Sequence, residues 1–274
     1  MSATDDVTLE RLRLEGGGGA MRRGTAAPTV ARLLGIALLF AAWEVAARAG
    51  WLDERTLGAP SSVVDTGWDM IRDGTLPRAL WASTQRVLWA LLFGAPAGAV
   101  LAVVAGLSRP GDAVVDANMQ ILRYVPILAV QPLLILWFGV GETTKVVLLA
   151  IGVAFPVYLN TQHAIRSIDA KHHELADVLG LTAWQRIRRV VVPGAVGGFL
   201  LGVRYASAVA WLLLIFAEQT NAEEGLGRLM ANAQAFSKSD VMVLVIVTYT
   251  TLGVATDLTV RAVERFALRW RVAR

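Results

Sequence analysis

The stretch Gly197–Ala217, GGFLLGVRYASAVAWLLLIFA, holds a single charged side chain, Arg204, in a run long enough to cross a bilayer. A spanning helix needs about 20 mostly apolar residues, because hydrocarbon offers no partner to backbone N–H and C=O groups that are left unpaired. Working outward, five more stretches meet the same requirement: Val30–Ala49, Leu80–Leu107, Met119–Phe138, Val146–Ile165 and Val241–Val260. The fold expected is an all-α membrane protein with six transmembrane helices. Composition agrees, since 55% of the 274 residues are apolar and only 18% are charged, leaving no room for a soluble domain of ordinary size.

The formal charge of +4 does not point to nucleic acid, because the basic residues sit in short clusters between apolar runs instead of forming a stripe. Membrane topology accounts for them. Of the Lys and Arg residues, about 17 fall with both termini and the loops around Arg109 and Arg186, and about 7 on the opposite side, which predicts cytoplasmic termini. The segments around Asp53, Glu142 and Glu223 then face outward. Residues 1–28 alternate acids and bases around the run Gly16–Gly19 and read as a flexible cytoplasmic tail, with the membrane domain spanning 29–274. The absence of cysteine excludes disulfides and thiolate chemistry.

The cytoplasmic loop 166–193 is punctuated in a way that a slack connector does not need. Asp169 is placed to cap a short helix, Gly180 to end it, and Thr182 with Gln185 to open a second one running toward Val192. This predicts a docking element that projects from the membrane. Glycine at 180 permits a positive φ and a close approach by a partner's backbone.

In this loop Glu174, Leu175 and Ala176, then Gly180, Val190, Val192 and Pro193, resemble the Glu-Ala-Ala signature of ABC importer permeases: three residues, Gly, nine residues, Ile, any residue, Leu-Pro. Glu174, Ala176, Gly180 and Pro193 match by identity; Leu175, Val190 and Val192 are apolar substitutes. Further stretches are similar to permeases of the nitrate, aliphatic sulfonate and taurine subfamily: Pro60–Val63, Tyr124–Pro126, Pro132–Glu142 and Phe155–Thr161. The resemblance implies a type I ABC importer transmembrane domain whose loop fits a groove on a separate ATPase subunit. It also implies a homodimer, an ATPase pair that holds ATP and Mg, and a periplasmic or lipid-anchored solute-binding protein. No cofactor is expected on this chain. Relatives importing pyrimidine vitamin precursors or riboflavin keep the solute open between these classes.

Candidate pathway residues are Arg86, Pro126, Gln131, Asn160, Arg204 and Glu218. Pro126, Pro132 and Pro156 within apolar runs are expected to kink helices. Ionisable groups near spans (Glu44, Arg86, Arg204, Glu218, Asp257) should face protein or a wet cavity. Arg86 and Arg204 suit an anionic solute, although pairing within the bundle is the simpler reading of both.

Three tempting features carry no chemistry. Gly139–Lys145 lacks the glycine that a phosphate loop sets before its lysine. His163, His172 and His173 have no acidic partner at metal-ligand spacing. No Ser, His and Asp set shares one membrane depth, so no catalytic residue is expected and the chain is read as a transport subunit, not an enzyme. A secondary transporter is the rival class; it would call for inverted repeats and intramembrane carboxylates, and it leaves the ordered loop without a purpose.

Overall fold

A computed structural model describes residues 26–53 and 56–269. The expected flexible tail lies mostly outside them. The chain divides into two compact units, 1–51 and 52–274. In the first, α1 (Ala26–Arg48) has 23 residues and an internal ion pair between Arg48 Nε and Glu44 at 2.6 Å.

The second unit is helical throughout its described residues. Its elements are α2 (Pro60–Arg72), α3 (Thr75–Leu107), α4 (Asp112–Leu122), α5 (Ile127–Phe138), α6 (Glu142–Arg166), α7 (Ala170–Val178), α8 (Ala183–Thr220), α9 (Leu226–Ala235) and α10 (Ser239–Ala267). Five of the six expected apolar stretches lie in single helices to within a residue of their ends, and the third, Met119–Phe138, leaves helix over 123–126. Among the described residues, four helices (α3, α6, α8, α10) are long and apolar enough to cross a membrane, and α4 with α5 makes a fifth if the pair counts as one span.

That pair takes the place of a single kinked helix over Met119–Phe138, because the two helices meet at 93°, more sharply than a proline kink within one helix. Pro126 supplies no N–H, adopts φ −64° and ψ 104°, and disfavours helical backbone at Val125 before it. Pro132 lies in the first turn of the next helical stretch, where a missing donor costs little, so it begins a helix and does not kink one. Pro156 sits inside α6, and Pro96, which the sequence reading passed over, inside α3.

The centre of the unit is α6, packed along its length against α3 and α8. Leu148, Leu149, Val153 and Val157 are fully buried there, with Val87 and Ala90 of α3 and Ala206, Ala210 and Leu214 of α8. Small residues allow the close approach: a Cβ on Gly98 would stand 2.3 Å from the carbonyl oxygen of Ala154, and one on Gly198 2.5 Å from that of Asn160. Large apolar side chains stay exposed on the outside of the bundle, among them Leu88, Trp89, Leu92 and Phe93 on α3 and Leu212 and Phe216 on α8. Such a surface suits lipid, not water.

Two elements went unforeseen in segments read only as polar. Helices α2 and α9 are amphipathic and bury Val63 and Gly67, and Leu226, Met230 and Ala233, respectively. They cap the end of the bundle where α3 and α10 begin; Thr66 of α2 donates to Asp240 at 2.6 Å and the Gly58 N–H donates to Ser239 Oγ at 2.9 Å.

Candidate functional site

The loop between α6 and α8 folds as the residue pattern requires. The Asp169 carboxylate accepts from the Lys171 N–H at 3.0 Å, satisfying one of the donors left free in the first turn of α7. Helix α7 ends in a Schellman motif: Gly180 takes φ +62°, its N–H donates to Asp177 O, and the Leu181 N–H donates to Ala176 O, each at 3.0 Å. Thr182 and Gln185 then form the reciprocal capping box, with the Gln185 N–H donating to Thr182 Oγ1 at 3.3 Å and the Thr182 N–H to Gln185 Oε1 at 3.0 Å. An ion pair from Arg186 to Asp177 ties the two helices together.

The second short helix does not end near Val192 as a separate piece. It widens into a π turn over Ile187–Val191 and continues as the fifth apolar stretch, making α8 a single element of 38 residues. In unbroken α geometry the Pro193 ring would strike the carbonyl of Arg189, four residues back. The wide turn relieves that clash without breaking the helix.

The motif residues divide by environment. Ala176 is buried, Val190 and Pro193 are half-buried, and Val192 is exposed on the α8 side. Glu174 and Leu175 are exposed on α7. Around them Val178, Leu179 and Trp184 also face outward, Val178 with 83% of its surface free. A Cβ added to Gly180 would meet nothing within 4 Å, so the chain itself sets no steric limit there beyond the left-handed backbone. A rigid, short-helical projection with bare apolar side chains has the form of a docking surface.

The opposite end of α6 holds a closed charge network. Arg86 of α3 donates through Nη1 to Glu218 of α8 at 2.5 Å, and through Nε and Nη2 to both oxygens of Glu142, at 2.6 and 2.7 Å. Lys145 adds a contact to Glu142 at 2.8 Å. Two cations face two anions. The Glu218 side chain has no exposed surface and also accepts from Ser83 Oγ at 2.8 Å, from the Gly227 N–H at 2.8 Å and from Tyr249 Oη at 3.4 Å. Its carboxylate therefore sits at the start of α9, where free backbone donors favour an anion.

Arg86 is thus buried and paired within the bundle, with Glu142 and Glu218. Glu218 is likewise closed off, and Gln131 is buried beside Lys145 and Ala217. Arg204 pairs with Asp257 of α10 at 2.5 Å but is half-buried and borders an open cavity. Asn160 is half-buried and bonds back to the Pro156 carbonyl at 2.8 Å, and Pro126 is exposed at the bend.

A third polar cluster, unforeseen from the sequence, holds α4 to α6. Tyr158 Oη and Gln162 Nε2 both donate to Asp116, at 2.8 and 2.9 Å, and Arg166 pairs with Asp112. Among the described residues no group of three or more His, Cys, Asp or Glu could hold a metal ion.

Residues 94–269 match the family described as the binding-protein-dependent transport system inner membrane component. The chain is 40% identical over 235 residues to the putative aliphatic sulfonates transport permease protein SsuC of Escherichia coli, covering 86% of this chain and 89% of that protein. The protein so named in Bacillus subtilis is 38% identical, with 86% and 85% covered. The taurine transport system permease protein TauC of Escherichia coli is 30% identical, with 86% and 87% covered. Among solved structures, an inward-facing MetNI methionine ABC transporter chain aligns with a TM-score of 0.58 at 20% identity, over 74% of this chain and 98% of that one. A chain of an amino acid ABC transporter aligns with a TM-score of 0.59 at 19% identity, over 72% and 97%.

Proposed function

Since the chain belongs to the binding-protein-dependent transport system inner membrane component family, and is thus a multi-pass permease subunit of an ABC importer and not an enzyme, we propose that its solute is an aliphatic sulfonate. The observation that carries this is the 40% identity to a sulfonate permease across 86% of the chain. The taurine permease relative points to the same headgroup, because taurine is itself a sulfonate.

In this reading the termini and α7 are cytoplasmic. Glu174, Leu175, Gly180, Val178 and Trp184 meet a groove on an ATPase subunit, while buried Ala176 seats α7 against the start of α8, where Val190, Val192 and Pro193 lie. Two copies of the permease enclose the pathway. Two ATPase subunits bind ATP and Mg below, and a solute-binding protein delivers the sulfonate above. The internal order of α7 supports this role, because a stiff element transmits displacement where a slack one absorbs it.

Of the pathway candidates, Pro126 and Asn160 remain available to line the passage, and Arg204 borders the open cavity beside α10. Arg86, Glu218 and Gln131 are assigned to holding its outer wall together. Alternating access follows from ATP-driven movement of the loops that displaces α8 relative to its neighbours.

The test is reconstitution into vesicles with the cognate ATPase and binding protein. Alkanesulfonate uptake should require ATP and persist when ion gradients are collapsed. Uptake that follows an imposed ion gradient without ATP would refute the reading.

A further inference from the structure

A basic cavity of about 630 Å³ opens between α8 and the end of α10, bordered by Arg204, Arg261, Glu264, Arg265, Leu268 and Arg269. Its volume lies within the range of small-ligand sites. The local charge does not balance. Asp257 is shared between Arg204 at 2.5 Å and Arg261 at 2.8 Å, and Glu264 is the other acid at the rim. Four guanidinium groups thus face two carboxylates. Arg269 lies over the Phe266 ring at 4.8 Å, and exposed Arg265 has no acidic partner among the described residues.

The level of the cavity along α10 is informative. From Ser239 to Arg261 the helix rises about 33 Å, close to the thickness of a bilayer's hydrocarbon core. If α10 enters the core near its first residue, Arg261 and Arg265 emerge at the headgroup layer of the other leaflet. The face of α10 that carries these arginines continues toward its start as an exposed apolar strip, Val247, Val254 and Leu258, at helical spacing with Arg261 and Arg265. A basic pocket at headgroup depth, continuous with an apolar groove, matches an amphiphile with an anionic head.

We infer that this cavity is a binding site for the phosphate headgroup of an anionic phospholipid, with an acyl chain lying along Val247, Val254 and Leu258 of α10. The site rests on the membrane-spanning reading of α8 and α10 but not on which solute is carried. Because Arg204 stands on the same helix that begins beside α7, a lipid bound here bridges the docking segment's own helix to the last span. Occupancy then bears on how readily α8 moves against α10.

The experiment uses the full-length purified chain and native mass spectrometry, with mixed phosphatidylglycerol and phosphatidylcholine as the offered lipids. Wild type should retain phosphatidylglycerol selectively, and retention should fall as ionic strength rises. Arg265→Gln removes a charge that no described acid neutralises, so the fold should persist while retention drops roughly fivefold. Arg265→Lys should keep most of it, and matched thermal melting of the two variants checks that the fold is intact. Leu258→Gln should also weaken phosphatidylglycerol retention. Equal retention by wild type and Arg265→Gln would overturn the proposal. So would inorganic phosphate alone displacing the lipid completely, which would make this a free-anion site, or a Leu258→Gln variant indistinguishable from wild type.

Discussion

The two ends of α6 solve opposite problems. At one end the Arg86, Glu142, Lys145 and Glu218 network closes on itself, with every charge paired inside the chain. At the other, α7 satisfies its own backbone through caps and turns but leaves Leu175, Val178, Leu179 and Trp184 bare. The first arrangement is complete without a partner; the second is ordered in advance of one. The comparison teaches that charge pairing and exposure sort roles here: mutually neutralised groups hold helices to one another, and exposed apolar groups on a rigid projection await another protein.

That contrast yields a separation between stability and transport. The largest stability effect should come from Glu218→Ala, which leaves Arg86, Ser83 and the Gly227 N–H short of an acceptor in a buried site. Removing one partner of a buried pair costs about 3–5 kcal/mol, and the denaturant midpoint of the purified protein should fall accordingly. An unchanged midpoint would mean that the network is incidental.

Gly180→Leu comes next, with about 1–2 kcal/mol of backbone strain for a branched side chain in the left-handed region. Membrane insertion should survive, whereas ATP hydrolysis coupled to transport should be lost; normal uptake by this variant would erase the distinction between the two ends. Asp169→Ala, removing the cap of α7, should cost about 1 kcal/mol and loosen the segment, seen as faster amide exchange over residues 170–178. The smallest stability change belongs to Val178→Asp, expected within about 0.5 kcal/mol for an exposed site. Its signature is loss of ATPase co-purification, and retained co-purification would show that this face is not the one gripped.

The sequence made the regular parts of the molecule readable because their causes are local. Apolar runs mark the helices, and the caps at Asp169, Gly180 and Thr182 with Gln185 appear where those side chains allow them. Helix α2 also carried a local signal that went unread, with Pro60 in its first turn and Val63, Gly67 and Met70 at helical spacing. What stayed out of reach depends on partners distant in the chain. Arg86 and Glu218 are 132 residues apart, and no single sequence shows that two costly charges will cancel each other. The bend at Pro126 was legible as an interruption but not as a right angle, since the packing of α5 against α6 fixes its direction. The π turn at Ile187–Val191 was hidden for a related reason: Pro193 forbids one local geometry without specifying which alternative replaces it.

The unbroken course of α8 has a geometric corollary. Its 38 residues make a rod of about 57 Å. Tilting such a rod by about 10° swings its far tip through roughly 10 Å, more than the width of a small organic anion. A modest rotation imposed where the rod leaves the membrane is thus amplified by length, and the π turn at Ile187–Val191 is the place along it where the helix can flex.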